Sequence, residues 1–214
     1  METTMQDVMR TMMEERVVAV VREDDAETAR RIADAAIAGG IRFVEITFTI
    51  PNAAEIIEGL VKAHKGEGVY IGAGTVLDAN TARLAILAGA EFIVSPTTDE
   101  DVIAMCNRYQ VLCASGAFTP NEVKHAMESG AHIVKVFPAS AIDPSYLKAL
   151  HGPFPRAIFM VTGSMREDVV LKWIESGAAV VGIGSLLSEP AHRGDYATVE
   201  KNARRFRDLV AIKK

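Results

Sequence analysis

Two charged residues sit inside stretches that otherwise read as apolar strands. Lys135 lies in His132-Ile-Val-Lys-Val-Phe-Pro138, and Glu45 in Phe43-Val-Glu-Ile-Thr47. The other eight of the nine lysines fall in helical or terminal contexts where the ammonium stays solvated. Period-two alternation places Ile133, Lys135 and Phe137 on one strand face. A lysine buried there without a partner lowers its pKa and sheds its proton. The neutral amine is then a nucleophile toward carbonyls and can form an imine. Glu45 reads as the general acid/base that moves protons during such chemistry. The same two residues also read as a buried ion pair that only stabilises the fold, and the strand pattern alone leaves both readings open.

Other chemistries find less support. The five histidines, at 64, 125, 132, 151 and 192, form neither HxH nor HExxH, so no metal site and no metal cofactor is expected. There is no GxSxG elbow for a serine nucleophile. Cys106 and Cys113 do not make a CxxC pair and read as two buried, reduced thiols. Two late glycine turns do suggest an anion site: Val161-Thr162-Gly163-Ser164 and Gly182-Ile183-Gly184-Ser185. Glycine lets backbone N–H groups approach a phosphate closely. Arg22, at the end of an apolar run, could fork onto a carboxylate or phosphate, or stand as an ordinary exposed arginine.

These residues need a scaffold that brings distant segments to one place. Eight β-branched runs recur, at 17–22, 43–48, 70–76, 92–96, 111–116, 132–138, 157–163 and 180–185. Helical stretches lie between them. Residues 26–38 end at Gly39-Gly40, Pro51 can open the next helix, Asp78 can cap 79–88, and Gly89 ends that stretch. Thr119-Pro120-Asn121-Glu122 has the order of a capping box, with Gly130 closing its helix, and 165–176 runs up to Gly177. Further helices are expected over 3–15 and from about 195 to 211.

Near-continuous apolar strands alternating with helices predict an α/β fold, a (β/α)8 TIM barrel with an extra N-terminal helix. A doubly wound sheet is the alternative, but its GxGxxG fingerprint is missing: Gly72-Ala-Gly-Thr-Val76 lacks the third glycine. Barrel chemistry gathers at the C-terminal strand ends. Arg22, Glu45, Thr47, Thr75, Ser95-Pro96, Lys135, Thr162 and Ser185 all fall at or near those ends. The 214 residues fit one barrel domain over 1–214, with no Pro/Ser linker. An apolar content of 49% excludes a disordered chain, and apolar runs no longer than a strand exclude a transmembrane helix. The net charge of −5 gives no overall attraction to nucleic acid. The N-terminus has no apolar signal core, so a cytoplasmic location is expected.

The segments VEITFTIP, IGAGTV, FIVSP, VKVFPA, HGPFP and VGIGS resemble the 2-keto-3-deoxy-6-phosphogluconate (KDPG) aldolase / 4-hydroxy-2-oxoglutarate (KHG) aldolase family over essentially the whole chain. The resemblance implies a class I aldolase on a (β/α)8 barrel, working as a homotrimer and needing no cofactor. Such an enzyme cleaves a 2-keto-3-deoxy-6-phospho sugar acid to pyruvate and glyceraldehyde 3-phosphate. By motif, Lys135 is similar to the Schiff-base lysine and Glu45 to the general acid/base, acting with a water. Thr75 and Pro96 would line the pyruvate pocket, and Phe137 would pack beside the imine. Gly163, Ser164, Gly184 and Ser185 would face the distal end of the substrate.

Three departures matter. Thr49 stands where many members carry an arginine, which leaves Arg22 to hold the anionic group. Val161-Thr-Gly-Ser164 replaces Pro-Thr-Gly-Gly, and Ser115-Gly116 replaces Pro-Gly. The last two fall at the barrel mouth and bear on the distal end of the substrate. A close alternative therefore keeps the imine but takes non-phosphorylated 4-hydroxy-2-oxoglutarate or oxaloacetate. Further alternatives are a phosphosugar isomerase or synthase with Lys135 as an electrostatic clamp, and a barrel that only binds small anions.

Overall fold

The computed structural model describes residues 3–163, 165 and 167–211. Its first half runs α1 (Met5–Glu15), β1 (Val17–Val21), α2 (Ala26–Ala38), β2 (Phe43–Thr47), α3 (Ala53–Ala63), β3 (Tyr70–Gly74), α4 (Ala79–Leu87) and β4 (Phe92–Val94). The second half runs α5 (Glu100–Tyr109), β5 (Leu112–Ala117), α6 (Pro120–Glu128), β6 (Ile133–Val136), α7 (Pro144–His151), β7 (Phe159–Thr162), α8 (Glu167–Glu175), β8 (Val180–Ile183), α9 (Ser185–Ser188) and α10 (Tyr196–Ala211). All eight strands are parallel and close in sequence order, with β1 meeting β8 at Val17↔Val181. The expected barrel with an added N-terminal helix is what forms.

Local signals explain most boundaries. Asp25, Asp78 and Thr119 accept hydrogen bonds from Thr28, Thr81 and Glu122 backbone N–H groups, capping α2, α4 and α6. The N-terminal helix begins at Met5 rather than residue 3 because Thr4 and Asp7 form a capping box there. One expectation is corrected. Pro51 does not open α3: Asn52 takes the cap in a left-handed conformation at φ 58°, and Pro51 lies in the turn before it. Several strands stop earlier than their apolar runs. β3 ends at Gly74 because Thr75 turns to φ 55°, and β7 ends where Gly163 adopts φ 127°.

The core has two shells. The larger lies between the strands and the surrounding helices. The smaller fills the barrel, where Phe43, Phe92, Leu112, Ile133, Met160 and Val180 pack with Val8 and Met12 of α1. Burying side chains of this size contributes about 1.5–3 kcal/mol each. α1 thus closes the N-terminal end, and Phe43 stacks on Tyr70 at 4.6 Å between ring centroids. The same inner faces of β2, β3 and β6 then change character toward the other end. They carry Glu45, Thr47, Gly72, Gly74 and Lys135 in place of large apolar groups.

Candidate active site

The barrel interior holds the two displaced charges. Lys135 is in register with Gly116 of β5 and Met160 of β7, and 4% of it is exposed. Glu45 is in register with Val20 of β1 and Gly72 of β3, and 1% of it is exposed. Space for Glu45 and for the Phe92 ring below it depends on glycines of β3. A Cβ at Gly72 would stand 2.5 Å from the Phe92 ring, and one at Gly74 would collide with the Glu45 carboxylate.

Burial pushes the Glu45 carboxyl up from the usual range, while the charges of Lys135 and Arg22 pull it back. Burial pushes the Lys135 ammonium down. The Glu45 charge opposes that shift and the Arg22 charge adds to it. The two groups therefore sense each other. Among the described residues, however, the ion pairs within 4.0 Å do not include one between Lys135 and Glu45. A contact ion pair that merely stabilises the fold is not formed. Phe137, two residues beyond Lys135, places its ring centroid 5.1 Å from Nζ.

The mouth collects further expected residues. Arg22 donates from Nη2 to Thr75 Oγ1 at 3.0 Å, joining the ends of β1 and β3. Thr75 holds φ 55°, a region that a β-branched residue rarely enters and that concentrates at functional sites. Pro96 is half-buried beyond β4, and its backbone lies where a Cβ at Gly116 would stand. Thr49 is exposed, and its Oγ1 lies 2.9 Å from that of the buried Thr47.

A cavity of 390 Å³ opens between β1, β6, β7 and β8. Arg22, Phe137, Gly163, Gly184 and Ser185 line it, and Thr75, Pro96, Glu45 and Lys135 do not. Val20, the register partner of Glu45, also lines it. Ser164 lies outside the described residues.

The cavity also contains residues that the sequence did not single out. Glu23 and His192 line it, with His192 Nε2 3.1 Å from Glu23 Oε2. Among the described residues, three buried side-chain oxygens lack a hydrogen-bond partner: Glu45 Oε2, Thr162 Oγ1 and Glu23 Oε1. Buried orphans of this kind are rare and call for an explanation. Here Thr162 and Glu23 line the cavity, and Glu45 lies next to its lining residue Val20. The only sequence signal for Glu23 was its position beside Arg22 at a strand end. His192 had none.

Among the described residues, no group of three or more His, Cys, Asp or Glu side chains could hold a metal ion. No described helix is long and apolar enough to cross a membrane.

The sequence and the fold have close counterparts. A family model for KDPG and KHG aldolase matches residues 8–202. The 2-dehydro-3-deoxy-6-phosphogalactonate aldolase of Escherichia coli (strain K12) is 34% identical over 171 residues, 79% of this chain and 82% of that protein. The structure of the 2-keto-3-deoxy-6-phosphogluconate aldolase of Zymomonas mobilis ZM4 with 3-phosphoglycerate superposes with a TM-score of 0.83. It is 30% identical and covers 94% of this chain and 95% of that one. The KDPG aldolase from Legionella pneumophila, with pyruvate captured as a covalent carbinolamine intermediate, also reaches 0.83 at 26% identity. It covers 91% of this chain and 95% of that one. The resemblance carried by the strand motifs is borne out: the chain belongs to the KDPG and KHG aldolase family, whose members are carbon–carbon lyases.

Proposed function

We propose that this chain is a class I aldolase that cleaves a 2-keto-3-deoxy-6-phospho sugar acid to pyruvate and glyceraldehyde 3-phosphate through an imine at Lys135. One observation carries the reading: a lysine buried in the barrel, its pKa pushed down, with no carboxylate among the described residues in ion-pair contact with it. The neutral Nζ attacks the C2 carbonyl, and the carbinolamine takes a proton from Glu45 and loses water to give a protonated imine. The C3–C4 bond then breaks. Its electron pair flows into the imine to leave an enamine, and the C4 hydroxyl proton passes to Glu45, directly or through a water. Protonation at C3 and hydrolysis release pyruvate and regenerate the lysine. The carbinolamine captured in the Legionella pneumophila relative supports the covalent step.

In this reading Thr75 and Pro96 bound the pyruvate half, Phe137 covers the imine, and Arg22 holds an anionic group. Gly163, Ser164, Gly184 and Ser185 take the distal phosphate, a placement supported by their shared cavity for three of the four. A second reading, cleavage of non-phosphorylated 4-hydroxy-2-oxoglutarate or decarboxylation of oxaloacetate, draws on Glu23, a carboxylate on the same cavity wall. Comparing kcat/KM for matched substrates with and without phosphate decides between them. The eight strand–helix units support one barrel domain over 1–214, the family resemblance implies a homotrimer, and a cytoplasmic setting suits a metabolic enzyme of this kind.

The imine is tested by adding sodium borohydride with pyruvate and mapping the adduct by peptide mass. A reduced pyruvate adduct on Lys135 is expected. No adduct, or full cleavage activity in Lys135→Met, overturns the reading.

A further inference from the structure

Glu23 is an unusual wall for a cavity expected to receive an anion. Its side chain is 7% exposed, and Oε2 is engaged by His192 Nε2 at 3.1 Å. Oε1 is buried, lines no hydrogen bond and belongs to a residue of the mouth cavity. The neighbouring Arg22 does not satisfy it, because that guanidinium donates to Thr75 Oγ1. Ser140 and Ser188 share the cavity, yet neither hydroxyl reaches Glu23.

We propose that Glu23 reads the hydroxyl next to the carbonyl of the departing aldehyde, accepting its hydrogen bond on Oε1. The proposal rests on the aldolase reading above. An ionised carboxylate oxygen only accepts hydrogen bonds, so whatever completes this site must donate one. A phosphate oxygen is an anionic acceptor and is repelled from that point. The phosphate is left to the glycine turns at Gly163 and Gly184, on other parts of the same wall. The hydroxylated carbon between the reacting centre and the phosphate carries a donor of the right class. His192 holds the carboxylate in place through Oε2. A site built around such a bond discriminates strongly against an analogue that lacks the hydroxyl, because the acceptor is then left buried and unpaired.

The test runs the reaction toward synthesis, with pyruvate and two aldehydes: glyceraldehyde 3-phosphate and 3-oxopropyl phosphate, which lacks only the hydroxyl. The wild type is expected to favour the hydroxylated aldehyde by about tenfold or more in kcat/KM. Glu23→Ala and Glu23→Leu should each bring that ratio to within about threefold of unity. Leucine keeps the buried volume if alanine fails to fold. A wild-type ratio near unity overturns the proposal, as does a ratio that both variants leave unchanged. Borohydride trapping of pyruvate on wild-type Lys135 separates the two levels. If the adduct forms and the ratio does not respond, only the role of Glu23 fails; if no adduct forms, the aldolase reading fails and this proposal falls with it.

Discussion

Gly74 and Glu45 share one volume: a Cβ on the glycine would overlap the glutamate carboxylate and lie 2.6 Å from its Cγ. The glycine on β3 therefore fixes where the Glu45 carboxylate on β2, the proposed acid/base, can stand. Gly74→Ala should move the carboxylate without changing any charge. A displacement of about 1 Å in a proton-transfer group lowers rate by roughly 100-fold. We expect kcat to fall by that order while KM changes much less. Steady-state kinetics check this, with thermal unfolding as the control for folding. A kcat within twofold of wild type would mean that the carboxylate position is not critical.

The charges around Lys135 give signed pH predictions. Burial lowers its pKa from the ordinary 10.5, Glu45 opposes the shift and Arg22 adds to it. Imine formation needs the neutral amine, so the rate of pyruvate trapping should rise with pH through a limb centred below 10.5. Glu45→Gln removes the charge that, without contact, raises the lysine pKa, and the limb should move to lower pH. Arg22→Gln removes a cation that repels the proton, and the limb should move to higher pH. Measurements at low ionic strength keep the exposed arginine unscreened. Limbs that move in the same direction would contradict this arrangement of charges.

Lys135 should also carry a stability cost. Its folded pKa is depressed, so between the folded and unfolded pKa values the unfolded chain binds more protons. The cost is full below the folded pKa and disappears as pH rises past the unfolded value. Lys135→Met should therefore be more stable than wild type at neutral pH, by about 1–2 kcal/mol, while losing activity. The gain should shrink as pH is raised toward 10.5. Urea unfolding at several pH values checks both the sign and the trend. A variant less stable than wild type at neutral pH would show that the lysine is a net stabiliser.

The parts of this molecule that were legible in the sequence are those whose signal is local. A charge inside a β-branched run is visible without a structure, so Lys135 and Glu45 stood out, and repeated strand and helix periods disclosed the barrel. Caps such as Asp78 and Thr119 were legible because donor and acceptor lie three residues apart. Pro51 misled because a proline suits both a first helical turn and the turn before it, and Asn52 took the cap. Contacts across the mouth were hidden for a different reason. Arg22 and Thr75 are 53 residues apart, and Glu23 and His192 are 169 apart. In the sequence, Glu23 and His192 look like solvated loop residues. The role of Gly74 was hidden as well, because which side chain fills its missing Cβ depends on the Thr47↔Gly74 register.

Thr75 separates strain from function. It holds φ 55°, and a left-handed conformation costs a residue with a Cβ about 1–2 kcal/mol. Glycine relieves that cost but gains entropy in the unfolded chain and gives up the hydrogen bond from the exposed Arg22, so Thr75→Gly should leave stability within about 2 kcal/mol of wild type. The same change deletes the Oγ1 that accepts from Arg22 Nη2 at 3.0 Å. A hydrogen bond from a charged group contributes about 1.5–3 kcal/mol, so releasing the guanidinium should lower kcat/KM by roughly tenfold or more. Thr75→Ser keeps the hydroxyl and should remain within about threefold of wild type, since only the methyl is lost. Urea unfolding and kcat/KM, measured together on both variants, check the argument. Equal kinetics for the glycine and serine variants would show that the Arg22–Thr75 bond does not position the arginine for catalysis.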